Sequence, residues 1–271
     1  MSRVLITGAA SGLGAALATA FEARGDEVLR TDLRDADLNL DVTSGDDWAA
    51  ALAHVERTWG GLDVLVNNAG VAGGGRLDVA TIDEWRWITE INLFGVVRGT
   101  ATFVPMFKRQ RSGTIVNTAS LAGNLWKKRA EPINALLDLG VDDWGKALQW
   151  FDENHESLEQ GPYNFSKEVV EVYTMRSSRP AMQRGVRTNS VCPGPIDTPL
   201  LPDFRASTSD QIIDWNIREM NGRAITPREV AQVLAFYGSP AASYVNGTNL
   251  DIDGGFTAAL TTKQVDFSGR A

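Results

Sequence analysis

Cysteine occurs once in the 271 residues, at Cys192, and histidine twice, at His54 and His155. A single thiol excludes an internal disulfide and a cysteine-built metal site, so folding needs no oxidising compartment. The two histidines stand far apart and offer no zinc spacing; they are expected at the surface, and no metal is expected. Basic charge is also in deficit. Against 34 Asp and Glu there are 26 Lys and Arg, a net charge of -8, which removes the electrostatic drive for nucleic-acid binding. The short run Lys127-Lys128-Arg129 does not reverse that balance and reads as a solvated loop. No apolar run is long enough to cross a bilayer, and the first hydrophobic run begins at Val4 without a basic leader. No membrane association and a cytoplasmic location are therefore the expectations.

What is present is an ordinary globular composition, 43% hydrophobic and 22% charged. RVLITG at 3–8 reads as a strand closed by glycine, and LGAALATAFEARG has the apolar spacing of a helix ending near Gly25. EVLRTD, ADLNLDV and LDVLVNNAG supply three further strands, with helical spacing over 46–59 before the last of them. A helical region from Trp85 to Phe107 leads to GTIVNTAS, a helix containing YNFSK, the strand VRTNSVCPG and a final strand in GTNLDIDGG. Short apolar strands alternating with helices predict one α/β domain over residues 1–256, a doubly wound, Rossmann-like sheet of seven parallel strands with helices on both faces. Ligands of such a sheet lie beyond the C-terminal ends of its strands.

Residues 121–162 interrupt the rhythm. Leu136, Leu137 and Leu139, then Trp144, Leu148, Trp150 and Phe151, predict one or two amphipathic helices that bury an apolar side. Residues 257–271 read as a C-terminal extension.

TGAASGLG at 7–14 places Gly8, Gly12 and Gly14 between the first strand and its helix, with Ser11 and Leu13 in the same turn. Such a turn lets a pyrophosphate approach backbone N–H groups at a helix N-terminus, and the Thr7 hydroxyl is placed to brace it. A glycine turn without a nucleotide is the competing account, because the spacing departs from the usual dinucleotide pattern. Asp32, ending the second strand, suits the two hydroxyls of an adenosine ribose and repels a 2'-phosphate, which favours NAD over NADP. Arg34 leaves a minor route to phosphate binding. Asp41 and Val42, at the end of the third strand, are candidates for contact with an adenine.

Tyr163 and Lys167 are four apart, hence neighbours on one helix face. In order along the chain stand TGAASGLG, Asp32, the NNAG of 67–70, Asn92, Ser120, YNFSK and the PGPIDTP of 193–199. With these motifs the chain resembles the classical short-chain dehydrogenase/reductase family over roughly residues 3–256. DLRDAD, the long insertion before the tyrosine and SPAASYVNG at 239–247 are similar to the bacterial 3α-hydroxysteroid dehydrogenase/carbonyl reductase group within it.

The resemblance implies an oxidoreductase that interconverts an alcohol and a carbonyl by direct hydride transfer with NAD. It implies Tyr163 as general acid/base, and Lys167 as the group that binds the nicotinamide ribose and lowers the tyrosine pKa. Ser120 would position the substrate oxygen, and Asn92 would hold a water in a proton relay to Lys167. Asn68, Ala69 and Gly70 would line the cofactor cleft, and Pro193, Gly194, Ile196 and Thr198 would hold its nicotinamide end. Tyrosine has an ordinary pKa of about 10, so base chemistry at neutral pH needs a nearby positive charge. No histidine is placed to make Ser120 a nucleophile.

Leu200, Leu201, Phe204, Ile212, Ile213, Trp215 and Met220 follow Thr198 and are divided between two accounts, a cover for a ring-bearing substrate and ordinary helix packing. The expected substrate is a secondary alcohol or ketone on a cyclic, steroid-like or aromatic frame. An aryl or allylic primary alcohol is the alternative, and a catalytically silent nucleotide-binding regulator the alternative of another class. Members of the family assemble through the helices that carry Asn92 and Tyr163. An apolar insertion joining those helices is expected to obstruct that contact, giving a homodimer rather than a tetramer, and partly to cap the substrate entrance.

Overall fold

The computed structural model describes residues 1–73, 80–140, 144–158 and 161–266. Parts of two sequence-based expectations lie outside these: positions 141–143 and 159–160 of the insertion, and the last five residues of the C-terminal extension. Seven strands form one parallel sheet in the order β3-β2-β1-β4-β5-β6-β7. They are β1 (Arg3–Thr7), β2 (Glu27–Asp32), β3 (Leu38–Asn39), β4 (Val64–Asn67), β5 (Gly113–Thr118), β6 (Val186–Pro193) and β7 (Asn249–Ile252). Every residue of β4 and β6 is buried, the pattern of strands covered on both faces. Chain order reverses between β1 and β4, so a crevice opens beyond their C-terminal ends.

On one face α1 (Gly12–Glu22) and α10 (Pro227–Tyr237) pack together, with Leu17, Phe21 and Leu234 buried against Val4, Val64 and Val66. On the other lie α2 (Gly45–Trp59) and α4 (Gly95–Gln110), where Trp48, Phe103 and Phe107 bury against Leu5 and Ile115. The α2 helix is capped by Ser44, whose hydroxyl accepts from Asp47 N, and closed by Gly60 in the left-handed region. Helix α7 (Gly161–Met182) is buried on most of its surface, which fits its place between the sheet and the inserted segment.

That segment forms α5 (Ala130–Asp138) and α6 (Trp144–Asn154). Ile133, Leu136, Ala147 and Phe151 join Trp85 of α3 (Ile82–Thr89) and Phe165 of α7 in a third core cluster. Trp150 stacks on Phe165, the ring planes 13° apart. Leu139 departs from the expected apolar side and is exposed, because α5 has already ended at Asp138. His54 is part-exposed beside Arg57, whereas His155 is partly covered: its ring packs edge-on to Trp85 and its Nδ1 meets Phe151 O at 2.9 Å. The basic run is not a solvated loop either. It forms a 3-10 turn, Trp126–Arg129, in which Lys127 and Lys128 are exposed while Arg129 grips Glu168 of α7 through two bonds of 2.6 Å.

Candidate active site

The turn after β1 needs its glycines. Gly8 has φ +66°, and a Cβ there would come within 2.8 Å of Ala69 Cα; one on Gly14 would stand 1.9 Å from Gly8 O. Both meet backbone, so neither clash can relax through a side chain. The Thr7 hydroxyl braces the turn by accepting from Asn68 N at 2.9 Å and Ala69 N at 3.0 Å, which ties the end of β1 to the end of β4. Asn68 adds a bond from its amide to Thr7 O at 3.0 Å. Asp32 is held in place by Ala10 N at 3.0 Å and Leu33 N at 2.8 Å. Arg34 is exposed and does not line the cleft, whereas Asp32 does. Asp41 Oδ1 accepts from Thr43, and Val42 O from the Trp48 indole at 3.0 Å, so both residues also secure the loop before α2.

These residues border a cleft of about 1230 Å3 running over the C-terminal ends of the strands. Its wall includes Gly8, Gly12, Gly14, Asp32, Gly70 and Gly194 and, further along, Ser120, Tyr163 and Lys167. Ser11, Leu13, Asp41, Val42, Asn68 and Ala69 line the same cleft, as do Pro193, Ile196 and Thr198. The segment after β6 crosses the glycine turn closely enough that a Cβ on Gly12 would be 3.4 Å from Thr198 Cβ. A backbone-lined turn at a helix N-terminus with a fixed carboxylate at the next strand end fits the pyrophosphate and ribose of a dinucleotide.

Tyr163 and Lys167 sit one turn apart on α7, both buried. Ser120 neighbours the Tyr163 hydroxyl in the cleft lining, and it caps the turn Leu121–Gly123 by accepting from Ala122 N at 3.2 Å. Lys167 Nζ donates to Thr118 O at 2.8 Å and lies 5.8 Å from the Tyr163 ring centroid. Burial pushes the Tyr163 hydroxyl up to about 12, with Ser120 opposing, and pulls Lys167 down to about 8. Among the chain's own groups burial is the largest influence on Tyr163. Desolvation wins, and Tyr163 is held as a neutral phenol.

Asn92 reaches the same corner from behind the wall: a Cβ on Gly70 would stand 3.1 Å from Asn92 Oδ1 and 3.8 Å from Lys167 Nζ. It lies in a π-helical turn, Glu90–Phe94, and its amide spans the Val71 backbone, accepting from Val71 N at 2.8 Å and donating to Val71 O at 2.9 Å. It does not line the cleft, though Gly70 and Val71 beside it do.

The apolar residues after Thr198 divide. Leu200, just before α8 (Leu201–Ser207), lines the cleft with Leu201 and Phe204 of that helix and Ile212 and Ile213 of α9 (Asp210–Met220), and Phe204 meets the Tyr163 ring edge-on at 5.0 Å. Trp215 and Met220 face the other way into the core, Trp215 against Phe256. Sequence reasoning missed Lys128, Asn164 and the far wall made by α11 (Phe256–Thr261), where Thr257 and Leu260 line the cleft. A signal for that wall was available, since β7 ends on the same side as the other strands. From the insertion, the cleft lining among the described residues comes from positions 121–128; neither α5 nor α6 contributes.

Comparison with known proteins agrees with this architecture. The family profile described as short chain dehydrogenase matches residues 2–130, and that described as Enoyl-(Acyl carrier protein) reductase matches residues 153–257. The chain belongs to the classical short-chain dehydrogenase/reductase family of oxidoreductases. It is 31% identical to trans-4-hydroxycyclohexanecarboxylate dehydrogenase of Sinomonas cyclohexanicum, over 96% of this chain and 94% of that protein. It is also 31% identical to 3-alpha-hydroxysteroid dehydrogenase/carbonyl reductase of Comamonas testosteroni, over 97% of this chain and all of the relative. The crystal structure of the 3-alpha-hydroxysteroid dehydrogenase from Pseudomonas sp. B-0831 complexed with NADH superposes with a TM-score of 0.78, at 29% identity, over 98% of this chain and all of that one.

Proposed function

We propose that the protein is an NAD-dependent dehydrogenase/reductase interconverting a secondary alcohol and a ketone on a cyclic substrate. The observation that carries this reading is the convergence of Ser120, Tyr163 and Lys167 in one cleft with the Asp32-flanked glycine turn. Bound nicotinamide would supply the hydride acceptor or donor. Ser120 and Tyr163 together hold the substrate oxygen. Tyr163, a neutral phenol by burial, is ready to give its proton to a carbonyl oxygen; for alcohol oxidation it must take one, which needs added positive charge nearby. Lys167, fixed to Thr118, is the chain's own cation at that point. Asn92 acts behind the cleft by holding the Val71 backbone in place. Leu200, Leu201 and Phe204 form an apolar wall suited to a ring, and relatives named for hydroxycyclohexanecarboxylate and hydroxysteroid substrates support that class.

Asp32 sets the cofactor preference. We expect kcat/KM with NAD to exceed that with NADP by at least about tenfold, or roughly 1.4 kcal/mol. Steady-state rates with both cofactors at one alcohol concentration measure it, and Asp32→Ala should narrow the ratio. Equal efficiencies in the parent enzyme would mean that the carboxylate does not face the ribose.

The homodimer belongs to the same reading. Helix α5 packs on α7 and α6 packs on α3, so the insertion covers part of the surface through which the helices of Asn92 and Tyr163 would meet a partner. Light scattering during size-exclusion chromatography should give a dimer mass at every concentration; a tetramer that persists on dilution counts against obstruction.

A further inference from the structure

Glu171 lies on α7 one turn beyond Lys167 and is 2% exposed, yet nothing in the chemistry above uses it. Several segments of the site converge on its carboxyl. Gly123 of the Ser120 loop approaches so closely that a Cβ there would stand 2.1 Å from Glu171 Oε1 and 3.0 Å from Lys167 O. From β6, the Cys192 thiol donates to the same carboxylate oxygen at 3.3 Å, and the next residues, Pro193 and Gly194, line the cleft. The loop is pinned on its far side by Asn124, which donates to Asp251 of β7 at 2.9 Å and to Thr257 of α11 at 2.8 Å.

We propose that Glu171 is a positioning residue for the reaction: its carboxyl seats the Ser120–Asn124 loop, and with it the Ser120 hydroxyl, against the helix that carries Tyr163 and Lys167. Through Cys192 the same group joins that helix to the end of β6. The inference rests on the proposed function, because it gives Glu171 a part only if Ser120 and Tyr163 act together.

The surroundings favour the neutral acid. Burial pushes the Glu171 carboxyl up to about 8; Asp251 on β7 and Glu168 on its own helix reinforce the shift, and the Cys192 hydrogen bond opposes it. The Cys192 thiol is itself pushed well up, by burial and by Glu171. Arg129, the neighbouring cation from the 3-10 turn, is bound to Glu168. Lys167 is directed to Thr118 O. Ionised Glu171 would therefore add a negative charge among acidic groups, at the point where the loop presses on it. A carboxyl raised in the folded state contributes stability that is full below its unfolded value and is lost as pH rises through the folded one. The seat should loosen as pH passes about 8.

Glu171→Gln keeps the shape and removes the titration, whereas Glu171→Ala removes the seat. With NAD and a cyclic secondary alcohol, Glu171→Gln should retain kcat within about threefold at pH 7, while Glu171→Ala loses at least about tenfold in kcat with cofactor Kd within about twofold. The kcat ratio of Glu171→Gln to parent should rise as pH increases through about 8, and the difference in their melting temperatures should move the same way. Taking the ratio cancels the pH dependence of the chemistry itself. An active parent for which that ratio stays flat and the alanine variant keeps its kcat overturns the positioning role alone. A parent inactive on every cyclic alcohol with either nicotinamide cofactor overturns the functional reading, and the positioning role with it.

Discussion

Tyr163→Phe should lower kcat by about 10²–10⁴-fold, the range that a positioned acid/base contributes, while leaving cofactor affinity nearly unchanged. The substitution deletes one oxygen and keeps the ring that packs against Phe204. It also removes the hydroxyl beside Ser120, so the substrate oxygen loses both the proton donor and one of the two groups proposed to hold it. Single-turnover rates separate this from product release, and a fluorescence titration with NAD reports the cofactor end independently. A variant within about twofold of the parent rate would remove Tyr163 from the chemistry.

The largest effect on stability is expected at Arg129. Arg129→Met leaves Glu168, which is 0% exposed, without its bidentate partner, and breaking such a pair costs about 3–5 kcal/mol. Glu168 is already pushed up by burial, with Arg129 pulling the other way. Its raised value makes its contribution fall as pH rises, and without Arg129 the fall steepens. The loss should thus be larger at about pH 8 than at about pH 5, where protonation relieves the buried charge. Denaturant unfolding of the parent, Arg129→Met and the double variant with Glu168→Gln measures this. The double variant should recover a large part of the loss, because no charge is then left buried without a partner. A single variant as stable as the parent at both pH values would show that water or another group already satisfies Glu168.

The strand pattern was legible in the sequence because buried parallel strands are short apolar runs, and Gly8, Asp32, Ser120 and Pro193 each fall at or just beyond a strand's C-terminal end. The likeness of YNFSK to a known motif placed Tyr163 and Lys167 together, and helical spacing alone already set them on one face. Other features depend on contacts that sequence spacing does not carry. Arg129 reads as one cation in a basic run, and only the fold brings it to Glu168, 39 positions away. Glu171 and Cys192 are separated by 21 positions and belong to different elements. The apolar stretch after Thr198 has one composition but two uses, and which residues face the cleft is decided by how α9 sits on Phe256. The direction of the Tyr163 shift was hidden for a similar reason: it is set by desolvation, which belongs to the packed helix and not to the residue's neighbours in sequence.

The central claim is direct hydride transfer between a secondary alcohol and NAD at the Tyr163 site. The most direct measurement uses a cyclic secondary alcohol carrying deuterium on its carbinol carbon, with purified protein and NAD, and mass analysis of both products. One deuterium should pass to the reduced cofactor per ketone formed, with a primary isotope effect on single turnover, and Tyr163→Phe should suppress both products together. Ketone formation with deuterium released to solvent, or full transfer by the Tyr163→Phe variant, would contradict the account.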